Sequence, residues 1–212
     1  MGRKSHTRAL SVWVNGKLAG EWRIPARGET EFQYDPTWLE LDEGRPLSLS
    51  LPFSFDRGSI KGRPVECYFD NLLPDADLIR KRVQDRFHTD SRDAFDLLAA
   101  IGRDCVGAVQ LLPSGEQPKD VRTIDAAPLS EAEVERTLIQ TVAPASIAAH
   151  PADDNLRISI AGAQEKTAFL QHDGMWCRPL GATPTTHIFK LPLGLVGGMQ
   201  ADMRTSVENE WL

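Results

Sequence analysis

The chain has 212 residues, 24 Lys and Arg against 30 Asp and Glu, and a formal net charge of −6. That length allows one large domain or two small ones, and 41% hydrophobic with 25% charged residues excludes disorder, collagen and coiled coil. No window reaches the roughly 18 apolar residues of a membrane span, and the basic Met1-Gly2-Arg3-Lys4 leads into a short alternating run; the protein reads as soluble and cytoplasmic, with no membrane partner.

In chain order, Leu10 to Val14 and Leu18 to Ile24 alternate and are joined by Asn15-Gly16, the strongest two-residue hairpin signal. Thr30 to Tyr34 reads as a third strand, and Asp35-Pro36-Thr37-Trp38-Leu39 as a turn opening a short helix. Leu47 to Pro52 alternates strictly, which predicts a strand, and Trp13, Trp22 and Trp38 are expected to anchor the resulting small sheet.

Helices follow. Pro74-Asp75-Ala76-Asp77 predicts a helix start, with Asp70 and Asp75 as capping carboxylates. Leu78, Ile79, Val83 and Phe87 are expected inside it, and Arg80, Lys81, Arg82 and Arg86 on the wet face. Asp77 and Asp85 interrupt that basic stretch, which reads as a solvated face in preference to a phosphate-backbone contact. Asp90 or Ser91 caps a second helix through Phe95, Leu97, Leu98 and Ile101, ended by Gly102. Val106 to Leu112 reads as a buried strand, Ser114 to Pro128 as a linker, and Ser130-Glu131-Ala132-Glu133 as a capping box opening a helix towards Val142.

After a loop at Pro144 to Asp154 come Arg157 to Ile160 as a strand, Ala161 to Glu165 as a tight loop and Lys166 to Gln171 as a returning strand. Asp173-Gly174 turns into Met175 to Arg178, Thr186 to Leu191 forms another strand, Gly194 to Ala201 is loose, and Thr205-Ser206-Val207-Glu208 opens a helix. The fold class is α+β: a small antiparallel β-rich subdomain with helices (1–113), a linker with one helix (114–154), and an incomplete kinase-like N-lobe (155–212) expected to continue beyond Leu212.

Three widely spaced cysteines, Cys67, Cys105 and Cys177, read as reduced, mostly buried thiols. The five histidines lack metal-ligand spacing, so no metal site is expected, and His88 and His187 are taken as hydrogen-bonded structural residues. The segment Ile158 to Lys166 is the most informative. A strand, an Ala-Gly-Ala loop and a returning strand can aim backbone N–H groups at a polyphosphate, with Lys166 adding charge; a plain hairpin with a small-residue turn fits the spacing too. Lys190 ends an apolar strand, where it either meets an anion or snorkels from a sheet edge. Glu208 or Glu210 could steady it, as a helix carboxylate does in kinase lobes.

Long segments resemble the HipA family, the serine/threonine kinase toxins of HipBA toxin–antitoxin modules. They are Arg45-Pro46-Leu47-Ser48-Leu49-Ser50-Leu51-Pro52, Phe69-Asp70-Asn71-Leu72-Leu73-Pro74-Asp75, Phe95-Asp96-Leu97-Leu98 with Ile101-Gly102-Arg103-Asp104, Val106-Gly107-Ala108-Val109, Ser159 to Thr167, and Thr183 to Pro192. The resemblance implies that Ala161, Gly162, Ala163, Gln164, Glu165 and Lys166 form an ATP-binding loop and that Lys190 binds phosphate. It makes Ser159 the autophosphorylated serine whose modification expels the loop. It further implies ATP and Mg2+ in the complete protein, a HipB-like helix-turn-helix antitoxin, operator DNA held through that antitoxin, and glutamyl-tRNA synthetase as substrate. The family's catalytic and metal-binding residues match nothing in this chain, which implies no catalytic residue here and no turnover without a further lobe. The alternative is a stand-alone antitoxin-like module that binds a separate HipA-type kinase, though such a module would have no use for the loop or for Lys190.

Overall fold

The computed structural model describes residues 7–119, 121–142, 161–162, 164, 166–180, 183–196 and 199–211. The first hairpin forms as its sequence predicts: β1 (Arg8–Val14) and β2 (Lys17–Ile24) pair antiparallel across Asn15-Gly16, both in the left-handed region at φ 49° and 76°. Strand β3 (Glu31–Tyr34) pairs with β2, and Asp35 caps helix α1 (Pro36–Glu40) by accepting from the Thr37 N–H. A short β4 (Ile60–Lys61), helices α2 (Arg63–Asp70), α3 (Asp77–Phe87) and α4 (Ala94–Ile101), and β5 (Val109–Pro113) complete this part. Its sheet runs β4-β3-β2-β1-β5.

Leu10, Val12 and Val14 alternate onto the core face of β1, where they join Trp22, Phe32, Phe69, Phe95, Leu97 and Leu98. Trp22 stacks on Phe69 with ring centroids 4.0 Å apart and meets the Phe95 edge at 4.9 Å. Trp22 and Trp38 are buried as expected; Trp13 is half-buried on the opposite face of β1.

Leu47 to Pro52 is not a strand. Leu51 N–H donates to the Ser48 carbonyl at 3.0 Å and Ser48 Oγ accepts from the Ser50 N–H, closing a tight turn. The buried Tyr34 hydroxyl donates to the Leu51 carbonyl at 2.6 Å and accepts from the Leu47 N–H at 2.8 Å. One side chain thus fixes both ends of the turn, leaving Leu51 buried and Leu49 fully exposed. Burial pushes the phenols of Tyr34 and Tyr68 up to about 12.

Other boundaries move by a few residues. Helix α3 starts at Asp77 with Ala76 as its cap, and Leu78 faces solvent while Ile79 and Val83 are buried. Asp70 and Asp75 cap no helix; Asp70 ends α2 and takes an ion pair from Arg80, which is therefore not on a wet face. The N-cap of α4 is Asp93, with Ser91 Oγ accepting from its N–H. Val106–Ala108 is a turn ahead of β5, in which Gly107 and Ala108 take φ 77° and 61° and so break the extended run before Val109.

The second part holds β6 (Ala126–Pro128), α5 (Glu131–Val142), β7 (Lys166–His172), β8 (Met175–Pro179) and β9 (His187–Lys190), with sheet order β6-β8-β7-β9. The capping box forms: Ser130 Oγ accepts from the Glu133 N–H, and Glu133 Oε2 accepts from the Ser130 N–H. The end of the expected linker is strand β6. The expected loose stretch contains a hairpin, β10 (Gly194–Val196) with β11 (Ala201–Met203), before α6 (Ser206–Trp211). The expected strand at Arg157 to Ile160 lies outside the described residues. Architecture is mixed, with helices packed on antiparallel sheets, as the fold class anticipates.

Candidate functional site

The candidate site lies where the 161–166 loop enters β7. Lys166 is the first residue of that strand and sits directly opposite Lys190, the last residue of β9. Directly opposed residues of an antiparallel pair share one face of the sheet, so the two cationic side chains leave the sheet on the same side. Like charges in that relation repel, and an anion placed between them is attracted by both. Lys166 is 9% exposed and Lys190 half-buried, which raises the value of such an anion.

The loop is shaped around Lys166. Its ammonium donates to the Ala161 carbonyl, and Gly162 takes φ 115°, a region closed to ordinary L-residues. A Cβ at Gly162 would fall 2.8 Å from Lys166 Nζ, the flexible end of a side chain that can give way, so it is φ that requires glycine. Gln164 Nε2 donates to the Leu191 carbonyl at 2.6 Å and ties the loop to the end of β9. On the other side the loop touches the first part of the molecule. Pro74 and Gly162 form a parallel bridge, and the Asp75 N–H donates to the Gly162 carbonyl at 3.2 Å.

Of the residues picked out from sequence, Ala161, Gly162, Gln164, Lys166 and Lys190 are thus brought together. Ser159, Ala163 and Glu165 lie outside the described residues. Glu208 is exposed on α6, and the Glu210 side chain is outside the described set. Phe169 packs edge-on against Phe189 at 5.0 Å, and Trp176 meets both Phe189 and His187, so the strands carrying the lysines are braced by aromatic contacts. Thr186 Oγ1 lies 2.8 Å from His187 Nδ1, the structural role expected of that histidine. His88 serves through its backbone, as the left-handed residue ending α3. The three cysteines are free thiols; Cys105 and Cys177 are buried and Cys67 is exposed.

Sequence reading missed the contact between the loop and the Pro74-Asp75 turn. Nothing in local pattern signals a hydrogen bond between segments nearly ninety positions apart. A separate half-open cleft of about 370 Å³ lies between α1, α2 and β5, lined by Trp38, Arg45, Leu47, Tyr68 and Leu72 among others; it contains none of the loop residues. Among the described residues no helix is long and apolar enough to cross a membrane.

Residues 10–112 match the HipA N-terminal domain. The chain is 32% identical over 194 residues to "Putative kinase Y4mE" of Sinorhizobium fredii, covering 90% of this chain and 45% of that protein. It is 26% identical to the serine/threonine-protein kinase toxin HipA of Shewanella oneidensis, over 87% of this chain and 40% of the toxin. The solved Shewanella oneidensis complex of HipA, HipB and operator DNA contains a chain that superposes with a TM-score of 0.63 at 23% identity. That match covers 84% of this chain and 39% of the other, a likeness of fold. The chain therefore spans less than half the length of these relatives.

Proposed function

From the premise that this chain belongs to the HipA family of kinase toxins, we propose that it contributes the nucleotide-binding part of a HipA-type serine/threonine kinase. The observation that carries this reading is the Lys166–Lys190 pair beside the bare backbone of Gly162. Two lysines on one face of a sheet end, beside a glycine whose backbone carries no side chain, suit a polyphosphate. ATP, when bound, supplies the phosphoryl group. Lys190 would hold its phosphates, the backbone of Ala161 to Lys166 would cradle them, and Lys166 would keep the loop in shape through the Ala161 carbonyl.

In this reading Ser159 is the autophosphorylated residue. A phosphoserine of about −2 charge beside the same lysines would compete with the nucleotide phosphates and drive the loop out. The catalytic base and the Mg2+ ligands belong to a further lobe, so turnover by residues 1–212 alone is not expected. By length, the relatives leave room for such a lobe. Domain limits at 113 and 154 are proposed as well, with β6, from the 114–154 stretch, joining the second sheet across the second of them. A HipB-like antitoxin, and operator DNA through it, are proposed as partners in line with the content of the structurally similar complex. Glutamyl-tRNA synthetase is the proposed substrate and the cytoplasm the proposed compartment.

The test is calorimetric titration of the full-length protein with Mg-ATP, paired with intact mass after incubation. Lys190→Ala is expected to abolish both binding and the added phosphate, and Ser159→Ala to abolish only the phosphate. Unchanged affinity in Lys190→Ala would remove that lysine from the site.

A further inference from the structure

We infer that Arg80, on α3 of the first domain, is a positioning residue for the loop at Ala161–Gly162. For its functional consequence the inference rests on the nucleotide reading of that loop. The argument starts from the turn joining α2 to α3. Arg80 Nη1 and Nη2 donate to Asp70 Oδ1 and Oδ2 at 2.6 and 3.1 Å, a bidentate pair at the C-terminal end of α2. The same guanidinium donates through Nε to the Pro74 carbonyl at 2.7 Å. One planar group therefore spans the turn from Asp70 to Pro74, and its fork leaves little freedom in the spacing of the two ends.

The Arg80 side chain is 16% exposed, so these bonds are partly shielded from water. Between the clamped ends Leu72 and Leu73 point into the core, which fixes the turn against the rest of the domain. The residues presented by that turn are the ones that meet the loop: Pro74 forms the bridge to Gly162, and the Asp75 N–H donates to the Gly162 carbonyl. Gly162 in turn abuts Lys166 Nζ, and Lys166 faces Lys190. A continuous line of contacts thus runs from Asp70 and Arg80 to the lysine pair. The first domain holds the loop by its backbone, and Arg80 sets where the holding groups stand.

Hydrogen exchange detected by NMR on the 212-residue chain tests the tether directly. In Arg80→Met the Asp75 amide is expected to exchange about tenfold faster, the order of one lost hydrogen bond. Core amides of β1 and β5 should keep their rates, and Arg80→Lys, which keeps the charge and one donor nitrogen but not the planar fork, should recover part of the protection. An Asp75 rate identical in wild type and Arg80→Met overturns the inference.

Should Arg80→Met fail to fold, Asp75→Pro removes the N–H donor itself while leaving the Arg80–Asp70 pair in place. In the full-length protein it is expected to weaken Mg-ATP binding about tenfold with core exchange unchanged. Unaltered affinity in a folded Asp75→Pro protein that binds nucleotide overturns the inference as well. A wild-type protein that binds no Mg-ATP overturns the nucleotide reading, and the Asp75 exchange rate then decides the tether by itself.

Discussion

The two larger sheets among the described residues are both antiparallel and both contain a tight hairpin, yet they bury apolar surface to different degrees. In the first, β1, β2, β3 and β5 turn one face onto the helices, and Val12, Phe32, Leu51, Val65, Phe69, Leu73, Leu97 and Leu98 are fully enclosed. In the second, Phe169, Leu170, Cys177 and Pro179 are the buried apolar residues among those described, while Met175 and Ile188 are exposed. The difference separates a part with a closed apolar core from a part that encloses few apolar side chains beside a loop and two lysines. Burial drives folding, at about 25 cal/mol per Å² of apolar surface removed from water. The first domain is the expected scaffold, and the second sheet the element free to respond to a ligand or partner.

Core truncation should break this comparison most sharply. Phe69 is fully buried, stacked on Trp22 and close to Phe32. Phe69→Ala is expected to cost about 3–5 kcal/mol, enough to unfold a domain of ordinary stability. In the second sheet Phe189 is only half-buried, and Phe189→Ala is expected to cost about 1 kcal/mol. Urea titrations followed by tryptophan fluorescence measure both, and equal costs would show that the second sheet has a core of its own.

A smaller effect sharpens the role of Tyr34. Removing its hydroxyl in Tyr34→Phe leaves the Leu51 carbonyl and Leu47 N–H without their partner, at an expected cost of about 1–3 kcal/mol. The pH dependence carries a definite sign. Burial raises this phenol from 10.0 to about 12, so folding favours the neutral form. The resulting stability is complete below the unfolded value near pH 10 and is lost as pH rises towards 12. Alkaline denaturation should steepen over that window in the wild type and flatten in Tyr34→Phe, with Tyr68, raised to the same level, supplying the remainder.

Much of this architecture was legible because its signals are local. Asn15-Gly16 dictates a two-residue turn, Pro36 after Asp35 a helix start, and Ser130 with Glu133 a capping box; all three form. Lys166 to Gln171 and Thr186 to Leu191 predict β7 and β9, and the opposed lysines follow from their pairing. What local pattern could not supply was set by distant partners. Leu47 to Pro52 alternates like a strand, but Tyr34 binds both ends and makes it a turn. Arg80 reads as a surface cation and is drawn inward by Asp70 and Pro74. The docking of Gly162 on Asp75 belongs to the same class: two backbone groups with no residue-type preference, brought together by tertiary packing.

The smallest predicted effect concerns α5, the helix that packs beside β7 and so borders the strand that carries Lys166. Its N-terminus depends on the reciprocal Ser130–Glu133 bonds. Accepting from the Ser130 N–H and hydroxyl lowers the Glu133 pKa, so this carboxylate helps the folded state above its unfolded value and ceases to help as pH falls through the folded one. Ser130→Ala removes the hydroxyl that serves the Glu133 N–H and is expected to cost about 1 kcal/mol. Because the first turn of α5 lies far from Thr141, whose carbonyl accepts from Arg82 of α3, and α5 packs beside β7, the loss should show as faster amide exchange in the first turn of α5 and spread to β7, while β1 and β5 stay protected. Exchange that accelerated equally in both sheets would mean the two parts fold as one unit, and the contrast drawn from their burial would fail.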